Sequence, residues 1–190
     1  MRIGRIAAGL LALAFLIPAS AHAQSLGAGI SFLGDERGAG VLIDYSSPLA
    51  SQSGNKTVSW VGEFGLNHKG FGGQLAGVSG GVTTIMVQGG VRASGAAGDS
   101  LVWLAHGMVG LMRTGFGADA AGINKATCDQ FNIDCSTSSS DIGGVLTVGG
   151  GLEYDFSSTK GVRGQIDFPI AIGADGGATS RFAIVFVLKR

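Results

Sequence analysis

The feature that most constrains this chain is the alternation of apolar and polar residues, repeated in eight stretches along its length. In an extended strand successive side chains point to opposite faces, so residues of one parity share one surface. Val58, Trp60, Phe64 and Leu66 fall on one parity with Gly62, while Ser59, Glu63 and Asn67 fall on the other. Ile85, Val87 and Val91 oppose Thr84, Met86, Gln88 and Arg92. Ile142, Leu146, Val148, Leu152, Tyr154 and Phe156 oppose Asp141, Thr147, Glu153 and Asp155. Val162, Ile166, Phe168, Ile170 and Ile172 face away from Arg163, Gln165 and Asp167. A helix would repeat its apolar positions at three and four, a spacing these stretches lack.

Four further stretches, 25–33, 38–46, 100–114 and 180–189, alternate less cleanly. In 38–46, Val41, Ile43 and Tyr45 oppose Gly40, Asp44 and Ser46. In 100–114, Leu104 and Met108 blur the pattern around His106, and the last stretch is apolar on both parities from Phe182 to Leu188. The gaps fall at 34–37, 47–56, 68–80, 95–99, 115–140, 157–160 and 174–179, all rich in Gly, Ser, Asn or Asp, the residues of turns. Such short gaps join neighbouring strands as hairpins, in simple up-and-down order. Only 115–140 has room for a well-formed helix.

The first residues point to export. Arg2 and Arg5 precede the apolar run Ile6–Ile17, Pro18 breaks any helix, and Ala21-His22-Ala23 puts small residues where a signal peptidase reads. The run is shorter than the roughly 20 apolar residues of a spanning helix. The expectation is a signal peptide over 1–23, cleaved after Ala23, and a single domain over 24–190. Cleavage removes two arginines, leaving 11 Lys+Arg against 13 Asp+Glu, which gives no reason to propose nucleic acid as a partner. Glycine is abundant, at 35 of 190 residues, but 45% of the chain is hydrophobic, too apolar for a disordered tail.

Each stretch is about as long as the 9–11 residues a tilted strand needs to cross a bilayer. A membrane barrel turns its apolar parity outward and its polar parity inward, the reverse of a soluble barrel. Charged residues make up 14% of this chain, against about 25% in ordinary soluble domains. The predicted fold class is therefore all-β: an eight-stranded antiparallel up-and-down transmembrane β-barrel in the bacterial outer membrane. Its polar and ionic lumen would hold Asp44, Glu63, Gln88, Arg92, His106, Glu153, Arg163, Gln165 and Asp167. Glu153 and Arg163 stand at mirror positions about the 155–160 turn, which would set them opposite each other. Phe32, Tyr45, Trp60, Trp103, Tyr154 and Phe156 fit girdles at the membrane interfaces. Loop length predicts a periplasmic N-terminus, with 34–37, 68–80, 115–140 and 174–179 outside.

The chain resembles the small bacterial outer-membrane β-barrel proteins of the OmpA-like or porin-like group. The similarity is carried by Gly149-Gly150-Gly151-Leu152-Glu153-Tyr154 followed by Val162-Arg163-Gly164-Gln165-Ile166-Asp167-Phe168, and by the final strand. There Arg181, Ala183, Phe186 and Leu188 fill the places of the C-terminal signal read by the outer-membrane assembly machinery. Ala183 stands where glycine is common, and the strand ends in Lys189-Arg190 in place of an aromatic residue. The resemblance implies outer-membrane lipid and that machinery as partners, and leaves any external ligand unidentified.

Little in the sequence points to chemistry. Cys128 and Cys135, the only cysteines, lie in the longest gap, and in an oxidising compartment they read as a disulfide closing the external loop. Two cysteines with no histidine nearby do not make a zinc site. His68 is expected at a strand end and His106 in the lumen, neither beside the serine and acid of a hydrolase, so no catalytic site, metal or cofactor is expected. The glycine clusters lack the G-x-x-x-x-G-K-[ST] of a phosphate loop. A non-catalytic structural or surface-interaction protein is the leading expectation. A narrow porin-like channel and a soluble periplasmic ligand-binding barrel remain as alternatives.

Overall fold

A computed structural model describes residues 24–34, 38–49, 56–72, 78–120, 136–172 and 177–190. Eight strands follow one another: β1 (Ser25–Leu33), β2 (Ala39–Pro48), β3 (Lys56–Gly72), β4 (Val78–Ala96), β5 (Leu101–Ala120), β6 (Ser136–Ser157), β7 (Lys160–Ile172) and β8 (Arg181–Lys189). Each pairs antiparallel with the next and β1 closes on β8, a barrel without a free edge in its transmembrane part. The seam runs from Ser25↔Lys189 to Leu33↔Arg181, and the Arg190 amide donates to the Gln24 carbonyl at 2.9 Å, so both ends of the described chain lie on one side.

The outside of the barrel is the apolar face. Ile30, Val109, Leu152, Ile166 and Phe186 are among many large hydrophobic side chains that stand exposed, while Asp167, Arg163 and Arg181 on the opposite parity are at most 1% exposed. A protein folded in water would bury the first set and solvate the second. The inversion is that of a barrel surrounded by lipid, and it excludes the soluble alternative. Tyr45 and Trp60 touch at 5.2 Å between ring centroids, and Phe156 and Phe186 at 6.0 Å, near the strand ends that carry both termini. Those contacts form part of an aromatic girdle, and the tight turns at 97–100 and 158–159 on the same side are of the short kind that such barrels keep on the periplasmic face.

Strand lengths depart from the sequence expectation. β3, β4, β5 and β6 hold 17, 19, 20 and 22 residues, against 9, 10 and 9 in β1, β2 and β8. Much of 68–80 and 115–140, expected as loops, is therefore strand. His68 lies within β3, not at its end, and its Nδ1 is 2.9 Å from the Thr83 hydroxyl of β4. The surplus lies on the extracellular side and forms a four-stranded wall. Gly70, Gly72, Gly80, Gly81, Gly115 and Gly117 lie in it. Glycine has poor strand propensity in isolation, but its backbone completes a ladder that its neighbours fix.

Several glycines have a steric reason, and Gly29 at the seam is the clearest. A Cβ on Gly29, which faces the lumen on β1, would meet the Ile184 carbonyl oxygen of β8. The close approach of the two backbones there allows the narrow barrel to shut.

Candidate functional site

Side chains from all eight strands meet in the lumen, in layers. On the periplasmic side lies an open vestibule of about 390 Å³, whose lining includes Ser25, Ser46, Ser59, Ser94, Arg92, Arg163, Glu153, Lys189 and Arg190. At its floor Arg92 Nη2 donates to Asp44 Oδ2 at 2.6 Å, and Arg163 Nη2 donates to the same oxygen at 2.5 Å. Arg163 also stands 3.6 Å from Glu153, its direct partner in the β6–β7 ladder. Lys189 bridges Glu153 and Asp155, at 2.7 Å to each.

The second layer centres on Asp167. One of its oxygens accepts from Arg181 Nε at 2.9 Å, Arg181 Nη2 at 2.6 Å and Gln165 Nε2 at 2.9 Å. The other is 2.8 Å from His106 Nε2. Arg181 Nη2 also reaches Glu63 at 2.6 Å, and Gln88 donates to Glu63 while accepting from the Thr147 hydroxyl. These charges are tolerable away from water because each meets an opposite charge and several hydrogen bonds. Some atoms are left over: Asp44 Oδ1, Glu63 Oε2, Thr84 Oγ1, Arg92 Nε, His106 Nδ1, Arg163 Nε, Gln165 Oε1 and Arg181 Nη1 are buried without a partner among the described residues.

Beyond this layer, toward the outside, Leu33, Met86, Met112 and Val145 pack into an apolar cluster across the bore. Asn67 donates beside them to the Ser31 carbonyl at 3.1 Å and to its hydroxyl at 3.0 Å. A second apolar group, Leu42 with Ala183, Val185 and Val187, fills the flank under β2 and β8. Eight strands enclose a space just wide enough for their own side chains, and beyond the vestibule these side chains occupy it.

All nine polar residues expected in the lumen face it, each no more than 6% exposed. Arg181 and Lys189 join the nine in the network, and so do Asn67 and Asp155, which the alternation places on the polar parity. Arg181 has its place in the C-terminal signal, where it faces inward with Ala183 while Phe186 and Leu188 face lipid. The signal for a lumen role was its parity, which it shares with Ala183, Val185 and Val187. Leu104 and Met108, which blurred the fifth stretch, also point inward. Cys128 and Cys135 lie outside the described residues. Among the described residues no cluster of His, Cys, Asp or Glu is suited to hold a metal ion.

The fold has solved counterparts. It superposes on Ail, the attachment invasion locus protein of Yersinia pestis crystallised with the heparin analogue sucrose octasulfate, with a TM-score of 0.58 and 13% identity over 88% of this chain and 98% of that one. It superposes on Neisserial surface protein A with a TM-score of 0.57 and 7% identity over 88% and 97%. No family model and no curated protein matches the sequence. At these identities the likeness is one of fold: the chain has the architecture of small eight-stranded outer-membrane barrels.

Proposed function

We propose that this is a non-catalytic surface-interaction protein of the outer membrane, whose working part is the extracellular wall of β3–β6. The observation that carries the reading is strand length: β6 has 22 residues where about 9–11 cross a bilayer. Ser136–Gly143 of β6 pair with β5 on one side and, among the described residues, with nothing on the other, because β7 pairing begins at Gly144↔Ile172. That leaves about 25 Å of strand with a row of unpaired backbone donors and acceptors. A free edge of this kind takes up an extended segment of another protein by adding it as a strand.

Ser136–Gly143 contains no proline and no lysine, and Asp141 is its single charge. Edges that avoid partners are usually blunted by Lys or Pro. Ail was crystallised with a sulfated sugar, but a sulfated polyanion suits this chain poorly, since its mature part carries more acid than base. The apolar cluster above two ion-paired layers likewise favours a scaffold over a channel. The supporting scheme is export behind a signal peptide cleaved after Ala23, insertion by the assembly machinery through the β8 signal, and a loop tip closed by Cys128–Cys135.

The test is adhesion. Bacteria displaying the full chain are compared with bacteria displaying a variant whose wall is shortened by deleting 70–80 and 115–140, on immobilised collagen, fibronectin and laminin. Retention by at least one of them that is lost on shortening, with both barrels heat-modifiable in the outer membrane, is the expected result. Equal retention of the two strains on every surface refutes the wall as the working part.

A further inference from the structure

The outer face of the barrel is apolar over most of its length. Among the described residues, the charges on its lipid-facing parity at the periplasmic end all have one sign: Lys56 at the start of β3, Lys160 at the start of β7 and Arg190 just after β8 stand exposed there. The acids of that half, Asp44, Glu63, Glu153 and Asp155, belong to the opposite parity and are taken up by the ion pairs of the bore. We infer that Lys160 and Arg190 bind the phosphate of an anionic glycerophospholipid, one whose headgroup carries no amine, in the leaflet that faces the periplasm.

The register sets the two cations side by side. Lys160 lies directly opposite Leu188 in the β7–β8 ladder, and Arg190 follows Leu188 by two residues on the same face. Residues on such a diagonal stand about 7–8 Å apart, so two long side chains reach one phosphate between them. Leu188 in turn lies opposite Leu26, and Leu26 opposite Tyr45, which carries an apolar row from the cations across β8, β1 and β2. A recess of about 180 Å³ opens on this row, and its lining includes Gln24, Leu26, Tyr45, Leu188 and Arg190. Lys189 also lines it but is held by Glu153 and Asp155. The side chains of Lys160 and Arg190 have no partner among the described residues.

Leu26 and Leu188 are exposed and offer an acyl chain an apolar surface, while Tyr45 and Trp60 set their rings at the level of the headgroups. The lysine and arginine stems run along these aliphatic neighbours and carry their charges to the same level. Arginine adds the planar donors that suit phosphate oxygens. The one described acid outside the bore at this end is Asp99, in the turn between β4 and β5, with β6 between it and Lys160. A headgroup with its own ammonium would bring that charge among cations with no acid to meet it. A phosphate without one is complementary. Because the pair lies on the lipid-facing parity, its occupant is a membrane lipid and not a soluble ester.

The test uses the full mature barrel in dioleoylphosphatidylcholine vesicles, with Trp103→Phe so that Trp60, which touches Tyr45, reports on the recess. Quenching is followed as dibrominated phosphatidylglycerol, phosphatidylethanolamine or phosphatidylcholine replaces part of the host lipid. Half-maximal quenching is expected at a lipid fraction about fivefold lower, or more, for phosphatidylglycerol than for the other two, the effect of a basic residue near an anionic surface. Lys160→Gln with Arg190→Gln, which breaks no contact within the barrel, should bring phosphatidylglycerol to the level of phosphatidylcholine. Each single variant should lower the preference several-fold and serves if the double variant loses its heat-modifiable fold. Equal quenching by the three lipids, a preference that these variants leave in place, or one lost as completely on Lys56→Gln would overturn the site. Displacement by soluble glycerol 3-phosphate at matched ionic strength would overturn the lipid as its occupant. Equal preference for phosphatidylethanolamine and phosphatidylglycerol would overturn the amine-free headgroup.

Discussion

Replacing Asp44 with alanine removes the one acceptor that two arginines share. Arg92 Nη2 at 2.6 Å and Arg163 Nη2 at 2.5 Å both end on Asp44 Oδ2. Arg163 keeps Glu153 at 3.6 Å, whereas Arg92 has no second ion pair among the described residues. Asp44→Ala therefore leaves a guanidinium, 5% exposed, without a counter-ion. Removing one member of a buried pair costs about 3–5 kcal/mol, mostly the cost of the stranded charge. Water in the vestibule reaches Arg92, so the lower end, about 3 kcal/mol, is the expected loss. The charge can then be removed as well. Arg92→Met alone should cost only about 1 kcal/mol, because Asp44 keeps Arg163, and Asp44→Ala with Arg92→Met should be more stable than Asp44→Ala by about 2 kcal/mol. Urea titration of the micelle-bound barrel, read by the fluorescence of the lipid-facing Trp60 and Trp103 and by gel mobility of unheated samples, completes the double-mutant cycle. A loss below about 1 kcal/mol for Asp44→Ala, or a double variant no more stable than that single one, would refute the charge reasoning.

Three further outcomes follow from the same arrangement. Val148→Arg, on the lipid face near the middle of β6, should destabilise the barrel by about 2–4 kcal/mol in the same titration, and a loss under about 0.5 kcal/mol would mean that face is not in the bilayer. The wild-type barrel in a planar bilayer should give no stable open state, because Leu33, Met86, Met112 and Val145 close the bore; long-lived conductance steps would show that this cluster parts. Denaturing the exported protein without reductant and treating it with iodoacetamide should label neither Cys128 nor Cys135, and two labelled thiols would remove the disulfide.

What the sequence made legible was whatever depends on parity. Glu153 and Arg163 were expected opposite each other, and they are partners in the β6–β7 ladder. The lengths of β3–β6 were not legible, because Gly70, Gly80, Gly115 and Gly117 look like turn residues when each is judged by local propensity, and no local signal reports that a neighbour will hold the ladder open to them. The place of Arg181 was hidden for a different reason. Its partners Glu63 and Asp167 come from distant β3 and neighbouring β7, and only closure of β8 on β1 turns it into the same bore. Met86 and Met112 were hidden by an assumption of uniform polarity: they occupy the inward parity, but a bore shut off from water at that level accepts thioethers as readily as amides. Inward polarity thus follows the distance from water, not the parity alone. That gradient separates the two ends of the molecule. The periplasmic mouth is open and lined by charged and hydroxyl side chains, while the cluster of Leu33, Met86, Met112 and Val145 lies between it and the edge of β6 that we propose as the means of contact with the outside.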